Sequence, residues 1–104
     1  MEKYKVIIEG TAENDLIEIL DYIGHTLHEP RTAERIYFSI KEQILSLSEM
    51  PFRYPLIQEE PYRANGVRRI PVENYYAFYI VDDRDKTIHV FRILYSRREW
   101  MNIL

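Results

Sequence analysis

At 104 residues, 46% hydrophobic and 30% charged, the chain has room for one domain with one modest core. The absence of cysteine excludes disulfides, thiolate metal sites and cysteine nucleophiles, and no apolar run is long enough for a transmembrane helix. The net charge of −3 and a pI near 5.6 argue against a dedicated nucleic-acid binder, yet seven of the ten arginines follow residue 60.

Residues 4–9 (YKVIIE) read as a first strand, broken by Gly10. Thr11 is a candidate N-cap, with Glu13 and Asp15 in the first turn to complement the helix dipole. Leu16, Ile19, Leu20, Ile23 and Leu27 then recur at helical spacing and predict a helix over about 12–28. Pro30 suits the first turn of a second helix. Its apolar stripe is Ala33, Ile36, Ile40, Ile44 and Leu47, and Pro51 ends it. The short connection makes the pair an antiparallel helical hairpin. In both helices Leu16, Leu20, Ile23, Ile36, Ile40 and Ile44 are expected to be buried.

Residues 50–66 hold three prolines and Gly66 and read as an irregular loop, pinned by Phe52, Tyr54 and Tyr62. VRRIP (67–71) predicts a short strand that ends or turns at Pro71. NYYAFYIV (74–81) is apolar on both faces, as a central strand is. DDRDK (82–86) has hairpin-turn composition, and TIHVFRILY (87–95) is the return strand. Ser96 and Glu99 match a capping box ahead of Trp100, which predicts a short helical turn or a tail tucked against the sheet. The expected architecture is a single α+β domain, residues 1–104: an N-terminal strand, an antiparallel helical hairpin, a three-stranded antiparallel meander and a short C-terminal tail. With no secretory h-region at the N-terminus, a cytoplasmic location away from membranes is expected.

Four segments together resemble the RelE/ParE superfamily of bacterial toxin–antitoxin toxins. They are TAENDLIEILDYI (11–23), LSLSEMPFRYP (45–55), VRRIPVENYYAFYIV (67–81) and IHVFRILYSRREW (88–100), in the order the family has them. The resemblance implies a growth-inhibiting toxin neutralised by a cognate antitoxin, with operator DNA reached only through that antitoxin. It also implies one of two targets. RelE-like members cleave mRNA in the ribosomal A site, and ParE-like members poison DNA gyrase. A degenerate member would only bind antitoxin.

Metal-free RNA cleavage needs a group that activates the 2′-hydroxyl, donors for phosphorane charge and an acid for the leaving oxygen. The loop where RelE-like toxins place lysines carries Gln58, Glu59 and Glu60 here, and Tyr76 stands where they place an arginine. Their C-terminal tyrosine has no counterpart. Were the chain a nuclease, its catalytic candidates would be Arg69, Arg98, Tyr95, Glu59 and His89. The ending Arg97-Arg98-Glu99-Trp100 looks ParE-like. The target- or antitoxin-binding candidates are therefore Arg68, Arg69, Arg92, Arg97, Arg98 and Trp100. Arg68 and Arg69, adjacent on a strand, must point to opposite faces. Arg92 shares its strand with Ile88, Val90 and Leu94 and is read as lying on their face. His25, His28 and His89 lack metal-ligand spacing, and no metal or cofactor is expected.

Overall fold

The computed structural model describes residues 3–104. β1 (Lys5–Ile8) leads into α1 (Gly10–Asp21), which continues as a π-helical turn (Tyr22–Thr26). α2 (Pro30–Ser46) returns antiparallel, with Pro30 in its first turn as expected. An irregular segment leads to β2 (Val67–Val72), β3 (Tyr75–Asp82) and β4 (Thr87–Tyr95), and a 3₁₀ turn (Trp100–Asn102) follows. The four strands form one sheet in the order β1-β4-β3-β2. β1 runs parallel to β4, and the other two pairings are antiparallel.

Two apolar layers sandwich this sheet. On one face Ile70, Val72, Ala77, Tyr79, Ile88, Val90 and Ile93 pack against Ala12 and Ile23 and the α2 stripe of Ile36, Ile40, Ile44 and Leu47. On the other, Val67, Phe78 and Leu94 pack with Ile57 beneath Tyr62, Trp100, Ile103 and Leu104. The residues of β3 alternate strictly between the two layers, which explains a strand apolar on both faces. Tyr79, fully buried, donates its hydroxyl to the Pro51 carbonyl at 2.9 Å and so ties the irregular segment to the sheet.

Several expectations need correction. Helix one ends as an α-helix at Asp21 rather than near 28, because the chain widens into the π turn before α2. Thr11 does not cap it; its hydroxyl donates to the Phe91 carbonyl at 2.7 Å, fastening α1 to β4. Leu16 and Leu20 are only half-buried, because α1 and α2 leave a groove between them. Pro71 lies inside β2 rather than ending it, and Asn74 belongs to the turn before β3. Val67 bonds outward, donating to Tyr62 and accepting from Ile57, so by alternation Arg69 and Pro71 also face the open edge. A proline N there costs the ladder nothing, and it blunts an edge that could otherwise pair with another chain. The Ser96–Glu99 capping box does not form: Glu99 precedes the 3₁₀ turn with no side-chain cap, although its carboxylate accepts from Asn102.

The register of β3 against β4 shifts by one between Phe78 and Tyr79. Phe78 pairs with Arg92 and Tyr79 with Val90, so Phe91 is the extra residue of a β-bulge. The bulge reverses the alternation of β4. Ile88 and Val90 face the helices, whereas Leu94 faces the tail. Arg92 therefore does not share a face with Ile88 and Val90.

Candidate functional site

Beyond residue 90, β4 has no strand on its β1 side, and α1 takes that place. Asp15 of α1 accepts from Arg92 Nε at 2.7 Å, from Arg92 Nη2 at 2.9 Å and from the Ile93 backbone N–H at 2.9 Å. One carboxylate thus replaces a missing strand and holds a bidentate fork. Both side chains are largely covered, and the carboxylate beside it raises the Arg92 pKa further. Arg92 is thereby a structural tie between α1 and β4, not an exposed recognition residue.

This tie forms the wall of a groove of about 560 Å³ between α1, the π turn and the end of β4. The π turn carries Tyr22 and Ile23 to one side, and Tyr75, Leu94 and Tyr95 form the other. Tyr75 and Tyr95 meet edge to face, centroids 5.8 Å apart. Burial, with Tyr95 and Tyr22 nearby, raises the Tyr75 pKa, so its hydroxyl stays a neutral donor. Glu18 and Arg98 also line the groove, and both are exposed. The groove offers apolar and aromatic walls with charges of both signs, a surface suited to an amphipathic polypeptide.

A second concavity of about 380 Å³ lies by the outer strand β2 and is lined by Tyr54, Glu59, Arg69, Pro71 and Tyr76 among others. The Arg69 guanidinium is held between two rings, 4.4 Å from the Tyr76 centroid and 5.3 Å from that of Trp100. Arg68 points to the opposite face, as adjacent strand residues must. There Nη1 donates to the Tyr54 carbonyl at 2.6 Å and the guanidinium stacks on Phe52. Trp100 is a packing anchor, its ring 5.4 Å from that of Phe78. Arg97 is exposed, like Arg98, but does not line the larger groove.

Arg98 and Tyr95 therefore come together in one groove, and Arg69, Glu59 and Trp100 gather around the other. His89 joins neither. Its Nδ1 sits 2.7 Å from a Glu9 carboxylate oxygen, on the β1 side of the sheet. Glu59 lies by β2, two strands from β4, so roughly 10 Å of sheet separates it from His89, whose carboxylate neighbour is Glu9 instead. No group of three or more His, Asp or Glu able to hold a metal occurs among the described residues, and no described helix is long and apolar enough to cross a membrane.

The sequence reading missed Tyr22, Glu18 and Tyr75. The available signal was width: Leu16, Ile17, Ile19, Leu20, Tyr22, Ile23 and Leu27 cover more of the first helix than one buried stripe requires.

The fold has close counterparts among solved structures. The P. aeruginosa chromosomal ParDE toxin–antitoxin system provides a chain 24% identical, covering 91% of this chain and 98% of that one, with a TM-score of 0.74. The RelBE2 toxin–antitoxin complex of Mycobacterium tuberculosis provides one at 23% identity, covering 91% and 93%, with a TM-score of 0.66. A mutant of the E. coli toxin RelE in the free state matches at 13% identity, covering 97% and 92%, with a TM-score of 0.65. No curated protein matches the chain. The family model described as the ParE toxin of the type II toxin–antitoxin system parDE matches residues 6–100. The chain belongs to that family of toxins.

Proposed function

We propose that this toxin acts by binding, as a ParE-like poison of DNA gyrase, and that a cognate antitoxin neutralises it. The observation that carries this reading is the separation of Glu59 from His89 across the sheet. Arg69, Arg98 and Tyr95 line two grooves shared with the carboxylates Glu59 and Glu18 and away from His89, an arrangement that suits a polypeptide of mixed charge more than an RNA backbone. Glu59 beside Arg69 also places negative charge where an RNA backbone would lie.

The antitoxin reading uses the larger groove. An amphipathic segment lays apolar side chains against Tyr22, Leu27 and Tyr75 and places acidic groups near Arg97 and Arg98. Operator DNA is reached through the antitoxin and not by this chain. Two assays on purified toxin test the target: supercoiling by DNA gyrase, and primer extension on ribosome-programmed mRNA. Inhibited supercoiling with intact mRNA is expected. Codon-positioned mRNA cleavage, abolished by Arg98→Ala, would overturn the reading in favour of a nuclease. Inertness in both assays, with antitoxin still bound, would mark a member that only binds antitoxin.

A further inference from the structure

The helical hairpin carries a third groove, of about 310 Å³, on the side of α1 away from the Tyr22 groove. Leu16 and Leu20 of α1 and Tyr37 and Ile44 of α2 form its walls. Ile17 stands at its lip, 58% exposed, and Phe38 on α2 is 55% exposed. The two rims carry opposite charges, Glu13 on α1 and Lys41 on α2. Neither makes an ion pair with a described residue; the Lys41 ammonium lies over the Tyr37 ring, 5.8 Å from its centroid. The contrast extends along both helices. α1 has four acidic residues and no Lys or Arg, whereas α2 has three basic residues against two acidic ones, although Asp15, Asp21 and Arg35 are engaged away from the groove by Arg92, His25 and Glu73.

We propose that this face docks a second copy of the chain. A two-fold axis running along the groove, parallel to the helices, lays α1 of one copy antiparallel on α2 of the other. Glu13 and Lys41 line one groove within about one helical turn of each other, so the axis brings each Glu13 within a lysine side chain's reach of the Lys41 of the other copy, twice per dimer. Each exposed Ile17 then enters the other copy's groove, as a side chain fills a hole in helix packing. A partner helix of a single charge sign fits less well, because it would satisfy one rim and be repelled by the other. The assembly is independent of the gyrase reading, because it uses neither Arg98 nor the Tyr22 groove.

The test is sedimentation of the free full-length toxin over a range of concentrations. A monomer–dimer equilibrium is expected. Lys41→Glu and Glu13→Lys should each weaken it by on the order of tenfold, because two attractive contacts become two repulsive ones. An equimolar mixture of the two variants should recover parental association, since in the mixed dimer both rim contacts again join opposite charges. Ile17→Asp, at an exposed position, should abolish association while keeping the parent's circular dichroism spectrum and the Tm the parent shows when diluted to monomer. A parent monomeric at every concentration overturns the proposal. So does a dimer indifferent to the three substitutions, or one that mixing fails to restore. Supercoiling activity measured on the same variants keeps the two readings apart: the dimer can fail with activity intact, and the reverse.

Discussion

The two faces of the sheet are built from different materials. The helix face is largely aliphatic, with Tyr79 as its one fully buried ring, and its side chains are supplied by α2 at regular spacing and by alternate strand residues. The opposite face is aromatic and is closed by segments with little regular structure: Tyr62 from the long connection, and Trp100, Ile103 and Leu104 from the tail. A regular helix can cover a sheet with modest side chains because its backbone satisfies itself. An irregular cover needs large rings to bury comparable area, and hydrogen bonds to fix its carbonyls, as Tyr62 does for Met101. The first face is a platform. The second holds a cluster of arginine and aromatic rings at its margin, where recognition chemistry can vary without disturbing the platform.

Truncating one residue on each face gives the largest expected effect. Phe78→Ala should cost about 3–5 kcal/mol and Ile40→Ala about 2–5 kcal/mol, because both side chains are fully enclosed. The two losses should differ in kind. Trp100 is the only tryptophan and rests on Phe78, so Phe78→Ala should shift its emission to the red in the folded protein. Ile40→Ala should leave that emission unchanged until global unfolding. Equal spectral shifts in both variants would erase the distinction between the faces.

The pH dependence probes the helix face. Burial pushes the Tyr79 phenol up to about 12 from its ordinary 10.0. Its folded pKa is raised, so between those values the folded state holds a proton the unfolded state has lost. Stability from this group is full below pH 10 and falls as pH rises toward 12, by about 2–3 kcal/mol in all. Tyrosinate absorbance should show a phenol that titrates well above the ordinary range until the protein unfolds, and Tyr79→Phe should remove it.

What was legible in the sequence follows the same division. The α2 stripe from Ala33 to Leu47 could be read directly, because its periodicity reports a regular helix buried on one face, and so could the bounds of β4. The bulge at Phe91 could not be read, since it depends on pairing with Phe78 and leaves the local alternation looking intact. Arg92 was misplaced for that reason: its partner Asp15 lies 77 positions away, on a helix whose position only the fold determines. Of the candidate site, the adjacency of Arg68 and Arg69 already required opposite faces. That Trp100 returns to stack on Arg69 required the path of the tail, which no short-range pattern encodes.

On the aromatic face the Arg69 stack should have a smaller effect than either core. Arg69→Ala removes two cation–π contacts at a half-exposed site and should cost about 1 kcal/mol, with a shift in Trp100 emission. Arg69→Lys should recover less than half of this, because a compact ammonium cannot lie flat between two rings as a guanidinium does. A lysine variant indistinguishable from the parent in emission and stability would show that charge alone, and not stacking, matters there.

The smallest effect on stability belongs to the exposed pair that follows β4. Arg97→Ala and Arg98→Ala should each leave the unfolding midpoint within about 0.5 kcal/mol of the parent, because neither side chain pairs with a described residue. Their effects on partner binding should nevertheless differ. Arg98 lines the groove with Tyr22, Tyr75 and Tyr95, whereas Arg97 does not. A partner carboxylate seated in the groove meets Arg98 beside an apolar wall, where screening is weaker than in open solvent. Arg98→Ala should weaken antitoxin binding by about two- to fivefold, more strongly at low salt than at high salt. Arg97→Ala should act mainly on the association rate, through the long-range field alone. Titrating the purified antitoxin against both variants at two ionic strengths measures the difference. Equal losses, with equal salt dependence, would mean that the two arginines act only as bulk charge and that the groove is not where the antitoxin's acidic groups arrive.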